Sequence, residues 1–237
     1  MIDIVLTTWE REWMTKACIL ALVKNTQTPY RLIIIDNGSE EWAQKEWLRD
    51  ADIYVKLDKN YGLEHAKHLG MAFVESDLFV SIDNDILVYK YENPDWLGRL
   101  IQLMEKYPEY GAIAPRPQVL VADSMYMFQT EDELVHFGRL PGYARLMRTA
   151  WVNEVGAWKD KRPLRGHEEL WIGEKFTEKG WKMGWANFVR CYHLFGDEDT
   201  DDWGYKDMTP DQHGHNPVWG IPKNDKDLIL KDVGISI

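Results

Sequence analysis

Apolar and polar positions alternate in a regular rhythm over the first half of the chain. Asp3-Ile4-Val5-Leu6-Thr7 is a short apolar run, and Trp13 to Val23 carries apolar residues at helical spacing. Leu32-Ile33-Ile34-Ile35 is the continuous aliphatic pattern of a strand buried on both faces. Ser39 is placed to cap a following helix that carries Trp42 and Trp47. Ile53 to Leu57 predicts a third strand, His65 to Val74 a helix, and Leu78 to Ile82 a fourth strand. Pro94 opens a helix over Trp96 to Tyr107, and Gly111 to Ala114 is a fifth strand.

This alternation implies an α/β fold: a mostly parallel central sheet with helices on both faces. Ligands of such sheets bind beyond the carboxyl ends of the strands. The second half is less regular. His167 to Lys179 predicts a helix closed by Gly180 as its C-cap, and Met183 to Val189 a strand. Beyond Gly196 the periodicity weakens and the chain reads as an irregular tail, a loop or a lid, not a second domain.

Composition narrows the class. With 237 residues and 45% apolar content the chain is long enough to bury a core. No run approaches the roughly 20 apolar residues of a membrane span. The start, Met1-Ile2-Asp3-Ile4-Val5, has no basic segment followed by an apolar stretch, so no signal peptide is expected. Cys18 and Cys191 stand alone without metal-type spacing, and a cytoplasmic protein without disulfides is the expectation.

A net charge of -11 argues against a nonspecific nucleic-acid binder. The charge is uneven, however. Arg139, Arg145, Arg148, Lys159, Lys161, Arg162 and Arg165 form a basic stretch, while Gly196 to Asp211 holds seven acids against Lys206. The basic stretch is either a solvated face or a site for donor phosphates or an anionic acceptor. Twelve Trp is a high count. Trp151, Trp158, Trp171, Trp181 and Trp185 cluster in the second half, mostly as core, with one or two candidates for packing against a sugar ring.

The chemistry gathers after the strands. Ser81-Ile82-Asp83-Asn84-Asp85 puts two carboxylates two residues apart at a strand end. Mg²⁺ and Mn²⁺ prefer oxygen ligands and commonly bridge phosphates, so the triplet is a candidate metal site, although Asp and Asn also favour plain turns. Asp36-Asn37-Gly38-Ser39 ends the second strand, where Asp36 is either a hydrogen-bond acceptor for a base or ribose or part of a turn. Thr7-Thr8-Trp9-Glu10-Arg11 follows the first strand, and Asn60-Tyr61-Gly62-Leu63 the third.

The order of these motifs resembles the family-two glycosyltransferases of the GT-A (Rossmann-like) fold. Thr7-Thr8-Trp9-Glu10-Arg11 is a diverged form of that family's first loop, and Asp36-Asn37-Gly38-Ser39 matches its second. Asn60, Gly62, Ala66 and Gly70 match the third loop and its helix, with Lys67 where Asn or Arg is usual. The family's metal triplet corresponds to Asp83-Asn84-Asp85. The resemblance covers roughly residues 2 to 195. It implies a nucleotide-binding half over 1–115, an acceptor-binding half over 116–195, and a tail over 196–237.

By the same resemblance Thr7, Glu10 or Arg11, and Asp36 hold the nucleotide, with Thr8, Asn60, Gly62, Lys67 and Asn84 in the surrounding loops. Asp85 is the principal metal ligand, with Asp83 near the ribose or metal and His193 as a further candidate ligand. The family carries a Glu-Asp pair at a helix start with Gly eleven residues on, and Glu168-Glu169 with Gly180 match it. The second member is the usual base, which favours Glu169 over Glu168. Alone, the acid pair would be explained by the helix N-terminus. The implied reaction is a metal-dependent (Mn²⁺ or Mg²⁺), inverting transfer from a nucleotide diphosphate sugar, a UDP-sugar by family frequency, to a hydroxyl acceptor. That acceptor is a glycan, a lipid-linked or other anionic compound, or DNA carrying hydroxylated bases.

Other classes fit less of the pattern. A sugar-1-phosphate nucleotidyltransferase wants a Gly-rich basic loop where Thr7-Thr8-Trp9-Glu10 stands. A glycoside hydrolase needs a carboxylate pair but no metal triplet. A non-catalytic glycan-binding protein explains the tryptophans but not the carboxylates.

Overall fold

The computed structural model describes residues 1–40, 45–117, 131–138, 140, 142–159, 168–194 and 226–236. Four parallel strands build the first half. β1 (Ile2–Thr8), β2 (Tyr30–Asp36), β3 (Ile53–Lys56) and β4 (Leu78–Asp83) alternate with α1 (Glu12–Asn25), a 3₁₀ turn at Glu46–Asp50 and α2 (Leu63–Met71). β5 (Ile86–Val88), α3 (Trp96–Lys106), β6 (Tyr110–Pro117), β7 (Leu134–His136), β8 (Ala144–Arg148), α4 (Thr149–Val155), α5 (Glu168–Glu178), β9 (Lys182–His193) and α6 (Lys226–Asp232) follow.

One sheet holds these strands in the order β3-β2-β1-β4-β8-β6-β9-β5, with β7 paired to β9. Parallel pairing joins β1 to β2 and β4, β2 to β3, and β6 to β9. β8 enters antiparallel between β4 and β6, and β5 and β7 run antiparallel to β9. The sheet is therefore parallel from β3 to β4 and mixed beyond β4.

Ile4, Leu6, Leu32 to Ile35, Phe79, Val80 and Ile82 are all fully buried, as expected of central strands covered on both faces. Gly70 lets α2 lie close on β1, because a Cβ there would stand 2.3 Å from Val5 Cγ1. Asp95 caps α3 by accepting from the Gly98 amide at 2.8 Å and also takes the amides of Gln27 and Thr28. Gly180 ends α5 at φ +75°, with the Trp181 amide donating to Phe176 O at 2.8 Å.

One sequence expectation changes, and others fall outside the described residues. The Ser39 hydroxyl accepts from the Glu10 amide at 2.7 Å, and the first described element after it is the 3₁₀ turn with Trp47; residues 41–44, where the expected helix would start, lie outside the described residues. Trp42 lies outside the described residues. The tail is not irregular to its end, since α6 packs Ile229 and Val233 into the core and Asn25 Nδ2 donates to Val233 O at 3.1 Å. Residues 196–225, with the acidic run and the lid expectation, lie outside the described residues.

The tryptophans are mostly core, as expected. Trp185 is fully buried, Trp158 nearly so, and Trp151 stacks on Trp181 with centroids 4.1 Å apart. Cys18 and Cys191 are buried free thiols.

Candidate active site

Strand register brings the sequence-selected loops to one edge. Thr8 stands opposite Asp36, and Thr7 opposite Asp83, so the ends of β2, β1 and β4 are level. The β2 and β3 loops are stitched together: Asn37 Nδ2 donates to Asn60 Oδ1 at 2.7 Å, and Asn60 Oδ1 also takes the Gly62 amide. Gly38 is required at φ +88°, where a Cβ would stand 2.3 Å from the Lys59 carbonyl carbon. Gly62, at φ +94°, starts α2. Asp36 is fully buried, with one carboxylate oxygen accepting from the Ser39 amide and the other from Tyr54 OH, at 2.8 and 2.7 Å.

The loop after β1 is strained. Glu10 and Arg11 both have positive φ, 51° and 57°, which costs on the order of 1–3 kcal/mol each. The conformation is held from several sides. Ser39 takes the Glu10 amide, Glu10 Oε1 accepts from the Glu40 amide at 3.0 Å, and Arg11 O takes the first amides of α1. Asn84 Nδ2 donates to the hydroxyls of Thr8 and Thr15, at 3.0 and 2.9 Å. Thr8 and Asn84 are therefore internal struts between β1, α1 and the β4 loop. Thr7 Oγ1 is buried with no hydrogen bond, in register with Asp83.

The two carboxylates of the triplet differ. Asp85 is buried at 4% exposure, and its Oδ2 pairs with Arg11 Nη1 at 3.0 Å. Its Oδ1 takes no hydrogen bond and lies 3.6 Å from His193 Nε2. That juxtaposition follows from β5 and β9, which set Ile86 opposite His193, while the Leu194 amide donates to Asp85 O at 2.8 Å. Burial disfavours the Asp85 carboxylate, but His193 and Arg11 outweigh it and hold its pKa at about 2. Asp83 instead pairs with Lys67 Nζ at 3.1 Å. Burial, with the nearby charges of Asp85 and Glu168, pushes Asp83 above the usual carboxylate range against the pull of Lys67.

Glu168 and Glu169 occupy different environments. Glu168 is 5% exposed and enclosed: Arg145 Nη2 donates to both of its oxygens at 2.9 Å, Lys67 Nζ to Oε1 at 2.9 Å, and Trp158 Nε1 to Oε2 at 2.7 Å. Burial raises its pKa, but Arg145 and Lys67 overcome this and hold it at about 2. Such a carboxylate is a poor proton acceptor near neutral pH. Glu169 is half-buried and accepts the Gly142 amide at 2.9 Å on Oε1, while its other oxygen takes no hydrogen bond among the described residues.

The basic stretch divides. Arg145 is fully buried on Glu168, and Arg148 donates to the carbonyls of Tyr110 and Met104, so both serve the interior and neither forms an anion surface. Lys159 is exposed. Arg139, Lys161, Arg162 and Arg165 lie outside the described residues, as do Gly166 and His167. Sequence reasoning missed Arg145, Gly142, Trp158 and Asp95. Arg145 and Trp158 gave no separate signal inside the basic and tryptophan clusters. Trp9, at 38% exposure beside Glu10, and Tyr61, at 42% in the loop after β3, are exposed aromatics at this edge.

A divalent cation fits the Asp85 edge. Among the described residues no three His, Cys, Asp or Glu side chains form a ready cation cage. The buried, unsatisfied Asp85 Oδ1 facing His193 nevertheless suits an ion held by few protein ligands and completed by substrate phosphates, the usual arrangement for Mg²⁺-type ions. Among the described residues no helix is long and apolar enough to cross a membrane.

Comparison with known proteins agrees with this geometry. The model of the family described as "Glycosyl transferase family 2" matches residues 3–159. A teichoic acid poly(glycerol phosphate) polymerase of Staphylococcus epidermidis is 27% identical over an alignment of 168 residues that covers 64% of this chain. The match covers 22% of that polymerase, so the chain corresponds to only a part of it. The structure of GalNAc-T7 with UDP, GalNAc and Mn²⁺ superposes with a TM-score of 0.71 at 16% identity, over 89% of this chain and 45% of that one. The fold is the GT-A fold.

Proposed function

The chain belongs to glycosyl transferase family 2, and we propose that it moves a sugar from a nucleoside diphosphate donor, a UDP-sugar first, onto a hydroxyl acceptor. The observation that carries this reading is the buried Asp85 oxygen that faces His193 without a hydrogen bond, at the edge where β1, β2 and β4 end. UDP and Mn²⁺ in the GalNAc-T7 structure support the same donor chemistry.

Asp85 and His193, with Asp83 beside them, are the residues that would hold Mn²⁺ or Mg²⁺. A bound ion supplies Lewis-acid neutralisation of the diphosphate leaving group. The chain's own residues do the rest. Thr7 and the Glu10-Arg11 loop border the diphosphate, and the Asp36-Gly38 and Asn60-Gly62 turns shape the nucleoside end. Glu169, oriented by the Gly142 amide, accepts the proton of the acceptor hydroxyl. The oxygen then forms its bond to the anomeric carbon as the bond to the diphosphate breaks, with inversion. Glu168 has no free oxygen for this task, because Arg145, Lys67 and Trp158 engage both.

Calorimetric titration of UDP, GDP, CDP and dTDP, each with Mn²⁺ and then with EDTA, tests the reading. Metal-dependent binding of one nucleotide is expected. Absence of binding of all four under both conditions overturns it. The polymerase relative is named for poly(glycerol phosphate), so polyol-phosphate acceptors head the acceptor screen, before neutral glycans and hydroxylated DNA.

A further inference from the structure

Each buried carboxylate at this edge already has an organic cation. Asp85 pairs with Arg11 at 3.0 Å, Asp83 with Lys67 at 3.1 Å, and Glu168 with Lys67 and Arg145 at 2.9 Å. In these pairs three carboxylates face three cations, with His193 beside Asp85 and Glu169 close to Arg145. A divalent ion entering at Asp85 adds two positive charges to a buried cluster that already holds Arg11, Lys67 and Arg145, where like charges repel strongly. An anion arriving with the ion offsets them.

Arg11 differs from the other two cations in being able to leave. Lys67 and Arg145 are enclosed, at 1% and 0% side-chain exposure, whereas Arg11 keeps 13%. Arg11 also sits on a backbone held in the left-handed region by Ser39, Glu40 and the first turn of α1, independently of its side chain. The guanidinium can therefore swing while the loop stays. Its planar donors match a phosphate as well as a carboxylate.

We propose that Arg11 is an exchangeable counter-ion: in the free protein it neutralises Asp85, and when metal and nucleoside diphosphate bind together it transfers from Asp85 to the diphosphate. This extends the metal reading above and depends on it. Metal alone then binds weakly, because it competes with Arg11 for Asp85. Metal and nucleotide bind cooperatively, and by linkage each tightens the other equally.

The test is Mn²⁺ binding followed by the electron paramagnetic resonance signal of free Mn²⁺, with and without the nucleoside diphosphate selected by the titration above. In the wild type the nucleotide is expected to tighten Mn²⁺ by about 5–150-fold, the usual range of coupling between sites. Arg11→Gln and Arg11→Met are expected to bind Mn²⁺ alone about tenfold more tightly, with most of the nucleotide's effect lost, again within that range. Arg11→Lys, which keeps the charge, is expected to stay near wild type. Unchanged or weaker Mn²⁺ binding in both neutral variants, with nucleotide-dependent Mn²⁺ binding intact in the wild type, overturns the exchange and leaves the transferase reading standing. No Mn²⁺ binding by any form, with or without nucleotide, overturns both.

Discussion

Replacing Glu168 by Gln removes one charge from a closed cluster and leaves the shape almost unchanged. In the wild type its oxygens take Arg145, Lys67 and Trp158. In Glu168→Gln one oxygen still accepts, but the charge is gone and the new NH2 group faces donors, so Arg145 loses its charged partner and Lys67 keeps only Asp83 as one. Breaking a buried ion pair from one side costs about 3–5 kcal/mol. The titration of Glu168 leads to a similar figure. Its pKa is about 2 in the folded protein against an ordinary 4.5, a difference equivalent to about 3 kcal/mol. The sign is fixed by the direction of the shift. A depressed folded pKa gives stability that is complete above the unfolded value and is lost as pH falls through the folded one. The variant is therefore expected to be about 3 kcal/mol less stable at pH 7, or roughly 6–12 °C lower in Tm for a chain of this length. That gap closes between about pH 4.5 and pH 2, as the wild-type carboxyl takes up its proton and becomes a near-isostere of Gln. Urea denaturation of both forms from pH 7 to the lowest pH at which they fold measures it. A cost below about 1 kcal/mol at pH 7, the range of an exposed pair, or a gap independent of pH, would refute the account of Glu168 as a buried structural charge.

The neighbouring residues are expected to behave differently. Glu169→Gln should leave Tm and nucleotide binding near wild type and slow donor turnover by about 10²–10⁴-fold, the range for loss of a general base; full turnover would move the base elsewhere. Asp85→Ala should keep the fold and lose metal-dependent nucleotide binding, and unchanged affinity in Mn²⁺ would remove Asp85 from the metal site. Gly142→Ala places a Cβ 2.4 Å from Glu168 Oε1 and 3.3 Å from Glu169 Oε1. It should cost about 1–3 kcal/mol of stability and slow turnover more than it weakens nucleotide binding; a silent substitution would show that the carboxylates can shift aside.

The parallel half was legible because its strands are buried on both faces, so Leu32 to Ile35 carries no polar interruption. The loops that follow were legible for a related reason: Asp, Asn and Gly at strand ends meet turn geometry and ligand chemistry together, as at Asp36 to Gly38. β8 was hidden. Its Ala144-Arg145-Leu146-Met147-Arg148 sequence reads as part of a basic surface, because a sequence does not reveal that Arg145 is matched inside the core by a carboxylate 23 residues later. The hydrogen bond of Ser39 to Glu10, 29 residues earlier, is likewise invisible to local pattern, which shows only a cap for the segment ahead. The acid pair was visible from its spacing to Gly180. The resemblance favours Glu169 as the base, but the enclosure of Glu168 was not legible, since it depends on Lys67, Arg145 and Trp158 arriving from other elements.

Lys67 explains why the two halves of the sheet act as one site. The family usually has a polar Asn or Arg at its position, and here a single ammonium contacts Asp83 at the end of β4, Glu168 at the start of α5, and the Gly142 carbonyl. Burial works against its charge, yet Asp83 and Glu168 raise its pKa above the usual lysine value, so it stays charged. The same Gly142 peptide offers its amide to Glu169. The position of the candidate base is thus tied, through one peptide unit and one cation, to the carboxylate beside the metal edge. An ion pair this buried gains little stability over a well-packed apolar substitute. Its advantage is geometric: the Asp83 edge and the Glu169 edge cannot drift apart without separating charges in a medium that penalises it, and that is what the proposed transfer between two separately bound substrates requires.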